Sequence, residues 1–102
     1  MAKKIITMNI DGEEKHLKVG INALTDLEQL MERPLASIGD EISIADLRAM
    51  FYVSLKWEDK KMTLEQAGDL MDSVVEEKGF QFLAESLSEL ISSSMGGAQL
   101  PS

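Results

Sequence analysis

A chain of 102 residues without cysteine has room for one hydrophobic core and not two, and it excludes a disulfide framework and thiolate metal sites. Its net charge of −8 is unevenly placed: residues 1–20 hold four lysines against three acids, whereas residues 21–102 hold six basic groups against fifteen acidic ones. Such a surface repels phosphate backbones, which argues against nucleic-acid binding, and no apolar run approaches the roughly 20 residues needed to cross a bilayer.

Residues 3–19 alternate apolar and polar positions on either side of Asp11-Gly12. Asp-Gly between alternating segments predicts a hairpin, because both central residues of the favoured two-residue turn need positive φ. That turn pairs Ile10 with Glu13, Met8 with Lys15, Ile6 with Leu17 and Lys4 with Val19. Ile6, Met8, Leu17 and Val19 then share one face, which must pack on something, since an isolated hairpin is only marginally stable. His16 falls on the outward side.

The helical period starts after Gly20. Asn22 is the expected N-cap of a helix over 22–33 through Leu24, Leu27, Leu30 and Met31, ended by Pro34, which disfavours helical backbone in the residue before it. Residues 34–39 read as one short helical turn closed by Gly39, with Asp40-Glu41 in the following loop. Ser43-Ile44-Ala45-Asp46 has the form of a capping box, so a helix over 43–57 is expected. Its apolar stripe is Ile44, Leu47, Met50, Phe51 and Leu55. Ala49, Tyr52, Val53 and Trp57 widen that stripe, which predicts a central helix touched on more than one side.

Thr63 and Gln66 form a second capping box, with Met62 as the apolar residue before the cap. The helix over 63–78 buries Leu64, Ala67, Leu70, Met71, Val74 and Val75, and Gly79 closes it in a left-handed conformation. A connection this short makes it an antiparallel neighbour of the central helix. The last helix, over 80–94, shows a clean stripe of Phe80, Leu83, Ala84, Leu87, Leu90 and Ile91. Residues 96–102 have too little apolar content to order themselves and read as a flexible tail. The expected fold is α+β and mostly α: an N-terminal β-hairpin followed by an antiparallel bundle of about four helices, in a single domain over 1–95.

Reaction chemistry is absent from this pattern. The one histidine has no imidazole or thiol partner and no serine sits in an elbow motif, so His16 reads as a surface residue. Carboxylate pairs such as Asp69 with Asp72 and Glu85 with Glu89 fall at helical neighbour spacing, as on any solvated acidic face. There is neither a calcium loop nor a phosphate loop, and neither a cofactor nor a metal is expected. Seven methionines are adaptable enough for a binding surface, but Met31, Met50 and Met71 lie at core spacing.

Three runs carry a family pattern: Ile21-Asn22-Ala23-Leu24-Thr25-Asp26-Leu27-Glu28, then Ile44-Ala45-Asp46-Leu47-Arg48-Ala49, then Met62-Thr63-Leu64-Glu65-Gln66-Ala67-Gly68-Asp69-Leu70-Met71-Asp72. Over most of residues 5–95 the chain resembles small tail proteins of long-tailed bacteriophages and gene transfer agents, the tail assembly chaperones. The turn over 57–61 is more basic than that pattern, and 96–102 has no counterpart in it. The resemblance implies a non-enzymatic protein of the bacterial host cytoplasm, phage- or prophage-encoded. Such a protein coats the tape measure protein and keeps it soluble before the tail tube polymerises.

It further implies a possible homo-oligomer, and contact with the tail tube protein through a frameshifted extension. Apolar residues left over from the core would form the contact surface, with Phe80, Phe82, Leu87, Ile91 and Met95 on the last helix and Met50 and Tyr52 on the central one; core packing is the competing reading for most of them, Leu87 and Ile91 first. A structural protein associated with the tail tube is the alternative, and a small helical regulatory or interaction module a further one. Against the latter stands the lack of a basic helix for a DNA groove.

Overall fold

The computed structural model describes residues 5–35 and 42–94. Strands β1 (Ile5–Ile10) and β2 (Glu13–Lys18) form an antiparallel hairpin, followed by helices α1 (Ile21–Met31), α2 (Ile44–Lys56), α3 (Leu64–Lys78) and α4 (Phe80–Ser94). The fold is α+β and mostly α, as the sequence predicts. Parts of that reading lie outside the described residues: the Lys4–Val19 pairing, the short turn after Leu35 with Gly39, Asp40 and Glu41, and Met95 with the tail.

In the hairpin, Asp11 (φ 54°) and Gly12 (φ 81°) supply the two positive angles of the tight turn. The register that follows is the expected one, with Ile6 opposite Leu17, Met8 opposite Lys15 and Ile10 opposite Glu13. Met8, Ile10, Leu17 and Val19 are buried on the inward face, and Ile6 packs partly against the same core. The hairpin is tied down at its tip as well, where the Ser73 hydroxyl on α3 donates to Asp11 Oδ2 at 2.8 Å.

Helix α1 begins and ends differently from expectation. Asn22 is not its N-cap: extended Gly20 occupies that place without a side-chain bond, and the Leu24 N–H closes the first turn onto the Gly20 carbonyl at 2.9 Å. Pro34 does not end it either. Glu32 adopts a left-handed conformation (φ 58°, ψ 36°) two residues earlier and donates its N–H to the Glu28 carbonyl. The Glu28 carboxylate then accepts the Leu35 N–H at 2.8 Å, so one glutamate satisfies donors on both sides of the bend.

Both capping boxes are present. Ser43 Oγ accepts from the Asp46 N–H while Asp46 Oδ2 accepts from the Ser43 N–H, and Thr63 and Gln66 exchange the same pair of bonds. Asp46 also pairs with Arg33, which joins the end of α1 to the start of α2. Gly79 ends α3 with positive φ, but its ψ of 154° is far from left-handed helical. Its backbone instead lies in a positive-φ region that glycine alone readily adopts: its N–H goes back to Val75 and its carbonyl accepts the Leu83 N–H, so one glycine closes α3 and opens α4.

Helix α2 is central, packed against α1, α3, α4 and β2. Leu47, Ala49, Met50, Phe51, Val53, Ser54 and Leu55 are all buried. The buried Ser54 hydroxyl is satisfied by the Phe51 carbonyl at 2.7 Å. Ile44 departs from expectation at 69% exposed. It lies two turns before Phe51 and so on the same side of the helix, but there α2 borders an open gap shared with α3 and α4 and not closed core. Among the described methionines, Met8, Met50, Met62 and Met71 are core and Met31 packs partly against it.

Candidate protein-interaction surface

The expected contact residues divide by burial. Met50 (2% exposed), Leu87 (1%) and Ile91 (6%) belong to the core, which corrects their assignment to a surface. Met50 is enclosed because α2 has neighbours on several sides, and Leu87 and Ile91 because the α4 stripe is the face that closes the bundle. Phe80 (46%) and Phe82 (39%) are exposed, and Tyr52 is half-buried. Met95 lies outside the described residues.

Phe80 and Phe82 do not form one patch. Two residues apart on a helix, their side chains are separated by roughly 200° around the axis. The Phe82 ring is accompanied by Lys78, whose Nζ lies 5.6 Å from the ring centroid, and Tyr52 by Lys56 at 5.4 Å. Lys56 lies one turn after Tyr52 on α2, whereas Lys78 reaches Phe82 across the Gly79 break between α3 and α4, and both ammonium groups are within cation–π reach.

Phe80 turns instead toward an open groove of about 470 Å³. The start of α2 contributes Ile44 and Arg48, and α3 contributes Glu65, Gly68, Asp69, Met71, Asp72 and Val75. Ile44 and Phe80 leave large apolar area open to water there, although the core beneath is closed. The sequence reading assigned Ile44 to the core and the carboxylates to a solvated face, and it gave Gly68 no role. The signal it held was Gly68 itself, a glycine in a helix interior. A Cβ at Gly68 would meet only Arg48 Cδ, at 3.4 Å, which is ordinary contact. Gly68→Ala is therefore expected to raise the unfolding free energy by roughly 0.5–1 kcal/mol through helix propensity and unfolded-state entropy. A urea titration checks this, and a loss of stability would mean that the chain needs glycine here for its own packing.

A second polar cluster joins the hairpin to the end of α2. His16 Nδ1–H donates to Glu58 Oε2 at 2.9 Å and Nε2–H donates to Glu14 Oε2 at 3.0 Å. A neutral imidazole has only one N–H, so both bonds exist together only in the imidazolium form. The Glu14 bond, then the Glu58 bond, raise the His16 pKa above its ordinary 6.5. Beside it Trp57 Nε1–H donates to the His16 carbonyl at 2.9 Å, and Lys18 Nζ sits 4.3 Å from the indole centroid. His16 is thus a surface residue, as expected, but one whose two nitrogens are both engaged.

Because the folded pKa is raised, the stabilisation from this cluster is fully present below the unfolded-state value near 6.5 and is lost as pH rises through the folded value. An NMR titration of the His16 ring should give a midpoint above 6.5, lowered by Glu14→Gln and by Glu58→Gln. A midpoint at or below 6.5, unmoved by either change, would show that the two bonds do not persist in solution.

Among the described residues no group of three or more potential metal ligands comes together, and no helix is long and apolar enough to cross a membrane. No protein-family model matches the chain, and no curated protein or solved structure matches it.

Proposed function

We propose that this chain is a tail assembly chaperone of a bacteriophage or prophage, a non-enzymatic protein that binds the tape measure protein in the host cytoplasm and keeps it soluble during tail morphogenesis. The observation that carries this reading is the pairing of a closed core with open apolar side chains: Ile44 and Phe80 remain exposed along a groove, although the fold already buries a full set of Leu, Met and Val. The three sequence runs that resemble this family supply the partner. Two of them, starting at Ile44 and Met62, form the helices that line the groove. Temporary coating of a long helical protein calls for an apolar groove that accepts an amphipathic helix, and for an outer surface whose like charges oppose aggregation. The net charge of −8 meets the second requirement.

Co-expression with the tape measure protein encoded nearby tests the proposal. A soluble complex with many copies of this chain per partner is expected, where the partner alone aggregates. If the partner's solubility is unchanged and nothing co-purifies, the role is rejected.

A further inference from the structure

The groove between α2 and α3 has chemistry that specifies its occupant. Its floor is Gly68, which neither a positive φ nor a close contact within the chain demands, although alanine is the better helix former. Its two sides carry the open apolar surfaces of Ile44 and Phe80. Along α3 the exposed carboxylates Glu65, Asp69 and Asp72 recur at steps of four and three, on one side of the helix, and all three line the groove. Arg48 is the sole cation among the described lining residues.

We propose that this groove takes a cationic amphipathic helix of another protein. An apolar side chain of that helix rests on Gly68 between Ile44 and Phe80, and its lysine or arginine residues face Glu65, Asp69 and Asp72. With no Cβ at Gly68, the flexible Arg48 side chain is what must move aside for the incoming helix to approach α3 closely, and the carboxylates set its orientation and speed its arrival. A second copy of this chain cannot supply that face. Helices α1 and α4 contain no basic residue, α3 has Lys78 alone against five acids, and α2, which holds Arg48 and Lys56, is enclosed at the centre of the fold by α1, α3, α4 and β2. This inference rests on the reading of the surface as an interaction face, and it adds the chemical class of the segment bound.

The test is a fluorescence-anisotropy titration of the full chain with a labelled leucine–lysine amphipathic peptide about five turns long, and with its leucine–glutamate counterpart. Saturable binding of the lysine peptide alone is expected, weakening as salt is raised. Gly68→Leu fills the floor without changing charge and should weaken binding about tenfold or more, as should Asp69→Lys with Asp72→Lys. Ile44→Ser, at an exposed position, is the second uncharged variant should Gly68→Leu not fold, as judged by circular dichroism.

Undiminished binding by the uncharged variants would reduce the effect to diffuse attraction by an acidic protein and overturn the proposal. So would a failure of the lysine peptide to bind, or a dimer of the unmodified chain that Gly68→Leu converts to monomer. Because no phage protein enters this assay, its failure is distinguishable from a failure of the tape measure protein to co-purify.

Discussion

Phe51→Ala is expected to lower the unfolding free energy by about 3–5 kcal/mol, the ordinary cost of truncating a fully enclosed phenylalanine. Phe51 is 0% exposed and lies on α2, against which α1, α3, α4 and β2 all pack. The void it leaves is bounded by several elements, so no single one can move in to fill it without losing contacts elsewhere. Domains of this size are stable by only about 5–15 kcal/mol, so the substitution removes a large fraction of the total. Urea denaturation followed by circular dichroism should show a lower midpoint with an unchanged slope. A loss below about 1 kcal/mol would mean that α2 is not the centre of the core.

Leu87→Asp and Phe82→Asp should have opposite outcomes although both place a carboxylate on α4. Leu87 is 1% exposed within a cluster formed by Leu83, Leu90 and Ile91, and a carboxylate there is buried among apolar groups. The expected cost exceeds about 4 kcal/mol, enough to abolish cooperative folding in a domain of ordinary stability. Phe82 is 39% exposed, and Lys78, near it across the α3–α4 junction, would face the new carboxylate, so stability should change by less than about 1 kcal/mol. Thermal unfolding of the two variants side by side decides the matter. If Phe82→Asp unfolds the chain and Leu87→Asp does not, α4 packs by its other face. If Phe82→Asp folds and leaves tape measure binding unchanged, Phe82 is no part of the contact surface.

The exposed apolar groove is legible in the sequence only in pieces. Phe80 stands out in sequence as a large aromatic at the end of an apolar stripe, and Phe82 as one that falls outside it. Met50, Leu87 and Ile91 entered the contact set through the resemblance although periodicity places all three on buried stripes, and the core follows the stripes. Ile44 shows the converse: it has the phase of a core residue and is 69% exposed, at the edge of the open groove. The groove needs Ile44, Gly68 and Phe80 from three helices, and its existence follows from where those helices end relative to one another.

What the sequence by itself determined is what nearest neighbours in the chain decide. Asp11-Gly12 sets the hairpin register through its backbone angles, and Ser43 with Asp46 and Thr63 with Gln66 set two helix starts through bonds spanning three residues. Alternation and helical period chose the buried sides. Even local grammar failed where two signals competed: Gly20 displaced Asn22 as the cap, and Glu32 turned the chain before Pro34 could.

The tertiary structure alone decided the ties between distant residues: Ser73 to Asp11, Arg33 to Asp46, and His16 to Glu58. Side chains far apart in the chain meet only because packed elements bring their backbones together. No short-range rule encodes such a meeting, because the free energy that places it is the burial of the whole core.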